Sequence, residues 1–259
     1  MASDPASTPT ASASWEPPST LGEKLKYALV PPALYIRYRV RKELRRGEPE
    51  LALVPWLADP RRASLDVGAN KGVWTHVLGQ HSAQVFAFEP NPKAFRVLER
   101  CKPANAQAMR IAASDREGQA EFRIPIGRKG YSNQGGSLNA AKVGDAYGSL
   151  TIETKRLDSL NLPPVGFIKI DVEGHEAEVL EGARALIARD RPVLVIEMEE
   201  KHTGQPIESM LDAVEALGYT TLALRRGVLT ARAGLDLEVS HRNPKYREDY
   251  IFNFIFLPQ

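Results

Sequence analysis

The sequence predicts an α/β chain built on a doubly wound, mostly parallel sheet, and three observations carry that expectation. Short apolar runs alternate with helix-length amphipathic runs after about residue 61, as right-handed crossovers between parallel strands require. The first run, "ASLDVG", opens into a glycine-bearing turn, "LDVGANKG", where such sheets hold ligands outside the carboxyl ends of their strands. The last two strand patterns, "TTLALRR" and "YIFNFIFLP", have no helical pattern between them, so at least one of them runs antiparallel.

Each element follows in order. Residues 1–20 are Ser, Thr, Ala and Pro with almost nothing to bury, which predicts a disordered tail, and they lack the basic start and apolar run of a secretory signal. Residues 21–60 form a basic helical arm. In it, "LGEKLKYALVPPALYIRYRVRKELRR" (21–46) reads as two short helices parted at Pro31 and Pro32, dense in Lys and Arg and carrying Tyr35, Ile36, Tyr38, Val40 and Leu44. Such a run suits peripheral contact with an anionic membrane surface or RNA; the plainer reading is an arm packed on the domain with its basic face in water. Glu48 to Ala58 is expected to add one more helix.

Residues 61–259 form the main domain. Its strands are "ASLDVG", "AQVFAFEP", "AQAMRIAAS", "VGFIKIDV" and "PVLVIEM", and with the final pair the sheet is seven-stranded. The intervening helices are "GVWTHVLGQ", "NPKAFRVLERC", a run from about Gly174 to Ala188, and "IESMLDAVEALG". Between the third and fourth strands, "QAEFRIPI" and "GSLTIETKRL" form an extra β-hairpin. Its connection from Gly127 to Tyr147 is rich in Gly, Asn and Ser and is read as a lid.

Composition bounds the rest. Thirty-four Lys and Arg against 32 Asp and Glu leave a net charge of +2, too balanced for a nucleic-acid signature over the whole molecule. The single cysteine, Cys101, excludes an internal disulfide and a thiolate metal cluster, so a reducing, cytoplasmic setting is the default. The longest apolar stretches fall short of the ~20 residues that span a bilayer.

At the first turn, Gly68 and Gly72 permit a tight bend and close approach of backbone to ligand. Asp66 lies two positions before Gly68, and Glu89 follows at the end of the second strand, where a carboxylate can accept both hydroxyls of a ribose. A dehydrogenase would show G-x-G-x-x-G, whereas this turn is G-x-N-x-G with a carboxylate that would repel a pyrophosphate and suit an ammonium group. A ligand combining an ammonium, a small carboxylate and a ribose is S-adenosyl-L-methionine. The bland alternative is a strand-to-helix turn with Asp66 as a cap.

These blocks, "LDVGANKG", "FAFEPNP", "AASDREGQAEF", "TKRLDSL" and "IKIDVEGHEAEVLEGA", resemble the FkbM family of S-adenosylmethionine-dependent methyltransferases from about Leu51 through Ile196. The resemblance implies a class I, Rossmann-like methyltransferase fold. It assigns Asp66, Gly68, Asn70 and Gly72 to the methionine end, Glu89 to the ribose, and Ser114 with Asp115 to the adenine edge. It also favours a hydroxyl acceptor on a sugar, glycolipid or other small secondary metabolite, a carbohydrate first. The strand end "DVEG" lacks the proline turn and aromatic of a base methyltransferase, so nucleic acid is not the expected partner. The basic arm keeps an RNA-directed enzyme open, and a non-catalytic cofactor-binding module is the other alternative.

In the fold so implied, Asp171 ends the fourth strand over the position of the transferred methyl group. Transfer to a hydroxyl needs alignment and a proton acceptor, and the candidate catalytic groups are Asp171, His175 and His202. Glu173 and Glu176 have a plainer use as capping charges. If the fifth strand lies beside the fourth, Glu197, and with it Glu199, reaches the same edge as Asp171. A Mg²⁺ ion held by Asp171 and Glu197 would relieve that crowding of charge; the simpler account has Glu197 bonding sugar hydroxyls and Asp171 facing the methionine ammonium.

Overall fold

The computed structural model describes residues 16–127, 130–131, 136–139 and 147–259. The chain first lays down β1 (Ala63–Val67), β2 (Gln84–Phe88) and β3 (Ala106–Met109), all parallel. It leaves this sheet for β4 (Ala112–Ala113), β5 (Gly118–Gly127), β6 (Gly130–Tyr131) and β7 (Tyr147–Lys155). It returns as β8 (Val165–Ile170), β9 (Val193–Glu197), β10 (Tyr219–Arg225), β11 (Val228–Ala231) and β12 (Asn253–Pro258). The main sheet has the order β11-β10-β12-β9-β8-β1-β2-β3, and β4-β7-β5-β6 form a second sheet. From β1 the chain winds one way through β2 and β3, and from β8 it winds the other way through β9. The switch point therefore falls at the β1–β8 pair, where a crevice opens at the strand ends.

The helices are α1 (Leu21–Leu29), α2 (Pro32–Arg46), α3 (Val54–Leu57), α4 (Val73–Leu78), α5 (Pro92–Cys101), α6 (Glu176–Gly182), α7 (Arg184–Asp190), α8 (Glu200–Thr203) and α9 (Ile207–Glu215). Alternation along the strands divides the core between two faces. Leu65, Ile168, Ile170, Leu194 and Phe254 face Val179, Leu186 and Leu211 of α6, α7 and α9. Val85, Phe167, Val195 and Ile255 face Leu51, Val54, Trp74 and Leu78. The arm packs on this second side, where Tyr27, Val30, Tyr35 and Ile36 meet Val97 and Cys101 of α5. Thr20 begins α1 with a reciprocal capping box to Glu23.

Four expectations are refined. The sheet has eight strands, because Arg226 and Gly227, both at positive φ, form a two-residue turn that returns β10 as β11. The pattern "AQAMRIAAS" splits, because Ala106–Met109 pair with β2 while Ala112 and Ala113 leave for β7. The helix expected from Gly174 starts at Glu176, since Glu173 and Gly174 are both left-handed, and it breaks at Ala183. At that break Gly182 lies so close to the Ser114 carbonyl that a Cβ would sit 1.9 Å from its oxygen. The helix expected over Glu48–Ala58 is a 3₁₀ turn, Pro49–Leu53, running into α3. The hairpin forms as expected, with β5 and β7 antiparallel, and β12 is antiparallel to both its neighbours. Residues 1–15 of the expected tail, and 128–129, 132–135 and 140–146 of the expected lid, lie outside the described residues. Among the described residues no helix is long and apolar enough to cross a membrane.

Candidate functional site

The turn after β1 is held by backbone that tolerates little bulk. Gly68, Asn70 and Gly72 all have positive φ, and a Cβ on Gly68 would sit 1.7 Å from the carbonyl oxygen of Asp171. The glycine is thus required twice, by conformation and by contact with the end of β8. Glu89 ties the turn to β2: one carboxylate oxygen accepts from the Asn70 amide at 2.7 Å, and the other from the Asn91 amide at 2.7 Å. Burial pushes the Glu89 carboxyl up to about 7, and the charges of Asp171 and Asp66 add to the rise.

A pocket opens here between Gly68, Asn70, Glu89, Ile111, Asp171 and His175. Gly68, Asn70 and Glu89 of the expected cofactor set therefore line it. Asp66 lies behind the turn, 1% exposed, accepting from the Thr75 hydroxyl at 2.5 Å, and burial raises its carboxyl to about 7. Gly72 closes the turn against Leu98. Ser114 donates to Asp115 at 3.0 Å and lies 2.9 Å from Nε2 of His175, in a cleft adjoining the pocket. Burial lowers the His175 pKa against the opposing pull of Glu178. Glu176 serves the turn, accepting from the amides of Gly174 at 3.0 Å and Val172 at 3.3 Å.

At the end of β9 the structure gathers a second group. Ile170 pairs with Ile196, so Asp171 and Glu197 follow as neighbours on adjacent strands. Ligand atoms of Glu173, Glu197 and His202 all lie within 4.8 Å of one another. Burial, then the charge of Asp171, raises the Glu197 carboxyl well above its usual range, while Lys169 opposes the rise. Burial also pushes Glu199 up, but hydrogen bonds from Lys201 and Tyr250 outweigh it and hold that carboxyl low. Asn139 fastens this corner by donating to the carbonyls of His202 at 3.0 Å and Gly174 at 3.2 Å.

Beyond Glu197 lies a cleft of about 920 Å³ whose walls include Arg46, Glu197, Arg226, Arg247, Tyr250 and Phe252. It stands over the carboxyl ends of β9 and β10, beside the end of α2.

Lys169 escaped sequence reasoning. It is 1% exposed in β8, donates to Oδ1 of Asn253 at 2.8 Å, and lies 3.5 Å from Glu48 and 5.3 Å from the Trp74 ring. Glu48 in turn accepts from Trp74 Nε1 at 2.9 Å and Asn253 at 3.1 Å. Burial alone would lower the lysine pKa, yet Glu48, Asp171, Glu197 and Glu50 together keep it raised. The available signal was a lysine inside an otherwise apolar strand, "FIKI".

Residues 66–221, more than half of the chain, match the model of the methyltransferase FkbM domain. The hexuronic acid methyltransferase AglP of Haloferax volcanii is 35% identical over 154 residues, which cover 56% of this chain and 59% of that protein. The chain thus spans about three-fifths of the length of that curated relative. A methyltransferase FkbM from Methylobacillus flagellatus KT superposes with a TM-score of 0.48 at 16% identity, over 76% of this chain and 44% of that one. A TehB-like SAM-dependent methyltransferase from Corynebacterium glutamicum gives 0.46 at 14%, over 88% and 98%.

Proposed function

Because this chain belongs to the FkbM family of methyltransferases, we propose that it methylates an oxygen of a sugar, free or carried on a glycolipid or other metabolite, with S-adenosylmethionine as donor. The observation that carries this reading is the adjacency of two half-sites, the pocket that reaches Asp171 and the cleft that reaches Glu197 on the neighbouring strand.

The pocket suits the donor. Each Glu89 oxygen that accepts a backbone amide keeps a second lone pair for a ribose hydroxyl. The bare backbone of Gly68 leaves room for the methionine end, in a turn held by the amides of Gly68 and Ala69 on the Phe88 carbonyl and by Asp66 through Thr75. Ser114, Asp115 and His175 form one bonded group suited to the adenine edge. When bound, S-adenosylmethionine supplies an activated methyl group, so the protein needs to align the acceptor and take its proton. Asp171, which lines the pocket, and His202, gathered with Glu197 at the end of β9, are the candidate proton acceptors, while His175 is engaged with Ser114. In the cleft, Tyr250 and Phe252 offer faces to a sugar ring, Glu197 an acceptor for its hydroxyls, and Arg46 and Arg247 counter-charges to an acidic sugar. An acidic sugar accords with the hexuronic acid named for the relative.

A divalent cation is the second reading, favoured by the convergence of Glu173, Glu197 and His202. The set differs from the Asp171–Glu197 pair expected with Mg²⁺, and its imidazole suits Mn²⁺ better. Turnover after exhaustive chelation, then with Mg²⁺ or Mn²⁺ restored, separates the readings; full activity in the chelated enzyme removes the cation. The main reading is tested by calorimetry with S-adenosylhomocysteine, followed by labelled methyl transfer to uronate-bearing and neutral oligosaccharides. No binding of S-adenosylhomocysteine, or tight binding of a nicotinamide cofactor instead, would sink it.

A further inference from the structure

We propose that the outward faces of α1 and α2 dock on an anionic lipid bilayer, with the helices lying in the plane of the surface. On α1, Leu21, Leu25 and Leu29 are 73%, 51% and 76% exposed. Spaced four apart, they form one stripe along the helix. The opposite side is occupied: Tyr27 and Val30 pack on α5, and Glu23 pairs with the buried Lys93 at 3.2 Å. At roughly 100° per residue, Lys24 flanks the leucine stripe on one side, while on the other the Lys26 ammonium turns onto the Tyr35 ring, 4.8 Å from its centroid. On α2, Tyr35 and Ile36 face inward, while Leu34 and Tyr38 are 59% and 65% exposed and continue the apolar surface. Arg37, Arg41, Lys42 and Arg45 are exposed around and beyond them.

The charge of this face has one sign. Residues 21–46 hold eight Lys and Arg against two glutamates. Both glutamates are turned inward, Glu23 toward Lys93 and Glu43 onto Arg39 at 2.9 Å. An exposed apolar stripe edged by uncompensated cations matches an anionic headgroup layer over acyl chains. A second copy of the chain fits worse, since a two-fold interface brings the same patch together and would oppose cation to cation. RNA would meet the cations but leave three leucines in water. The end of α2, through Leu44, Arg45 and Arg46, forms one lip of the 920 Å³ cleft. Docking therefore brings the cleft to the headgroups, and, on the acceptor reading above, the sugar is one carried by a lipid.

The test is co-sedimentation of the full chain with vesicles of phosphatidylcholine alone and of phosphatidylcholine mixed with phosphatidylglycerol, at low and high salt. Binding is expected to the mixed vesicles only, and to weaken with salt. Leu25→Glu with Leu29→Glu should lower the partition coefficient by roughly tenfold or more per leucine. Arg41→Glu with Lys42→Glu should lower it and flatten its salt dependence. Thermal midpoint and S-adenosylhomocysteine affinity should stay at wild-type values in both variants, since these side chains are exposed and remote from the pocket. The proposal is overturned by absent binding to the mixed vesicles or by equal binding of the leucine variant. It is equally overturned if the leucine variant instead turns a dimer into a monomer in light scattering, or if only a single-stranded RNA oligonucleotide binds the arm. Vesicle binding is read without turnover, so failure of the methyl-transfer reading leaves this result intact.

Discussion

Replacing Lys169 with Met tests how the arm and the strand ends are held together. The side chain is of similar length and stays apolar along its stem, so the change removes a charge with little loss of volume. The lysine is 1% exposed, with Asn253 at 2.8 Å and Glu48 at 3.5 Å, and its charge also acts on Glu50, Asp171 and Glu197. Removing one partner from a buried ion pair costs about 3–5 kcal/mol. Glu48 keeps some access to water, at 19% exposure, so the lower end, about 3 kcal/mol, is the expected loss near pH 7.5. For a domain of this size that lowers the melting temperature by roughly 6–12 °C. The loss should depend on pH in one direction. Burial raises Glu50 to about 7, above its usual 4.5, even though Lys169 pulls it down. Between those values the folded protein binds more protons than the unfolded chain, so stability falls as pH rises from about 4.5 through 7. Without the lysine the folded pKa rises further, and the fall continues to higher pH. The gap between wild type and Lys169→Met should therefore widen from pH 5 to pH 8. Urea unfolding followed by circular dichroism at the two pH values measures it. An equal gap at both, or one below about 1 kcal/mol at pH 8, would refute the reasoning.

Gly68→Ala adds a Cβ 1.7 Å from the Asp171 carbonyl at a φ of +83°, so S-adenosylhomocysteine binding should disappear in calorimetry while the far-ultraviolet spectrum persists. Glu89→Ala strips the acceptors from two amides, which should cost roughly 2–4 kcal/mol of stability in urea titrations in addition to weakening cofactor affinity. Gly182→Ala would press on the Ser114 carbonyl and, by displacing α6, should lower the melting temperature more than Gly204→Ala, where φ is positive but space is open. Ser114→Ala frees the His175 ring from its 2.9 Å contact; the imidazole titration followed by nuclear magnetic resonance should then move, and an unmoved titration would mean that the contact is not made in solution.

Much of this was legible from local sequence. The strand, the glycine turn and Glu89 lie within one βαβ unit, so their geometry follows from short-range rules. The Glu89 carboxylate serves the Asn70 amide nineteen residues away, still inside that unit. Lys169 could be noticed but not explained, because Asn253 lies 84 positions along the chain and Glu48 joins it from the N-terminal arm. The gathering of Glu173 and Glu197 with His202 depends on α8 folding back over the strand ends, which no local pattern encodes. The break at Ala183 was hidden for a similar reason: it answers to Ser114, on another strand connection, and not to the helix's own residues.

The place of β12 has a consequence for the order in which the molecule can assemble. β1, β2, β3, β8 and β9 are neighbours made from the earlier part of the chain, and they need nothing later to complete their ladder up to β9. The next position outward is filled by β12, the last strand in sequence, and β10 joins the sheet only by pairing with it. During synthesis the pocket at the β1–β8 switch point can thus form while the edge of β9 is still bare, with Leu194, Val195 and Ile196 awaiting Phe254 to Phe256. Until that strand arrives, an apolar edge stands open to any other extended segment, the circumstance in which parallel sheets are most exposed to misassembly. The cleft lined by Glu197, Tyr250 and Phe252 is consequently completed only by residues that follow the pocket in the chain.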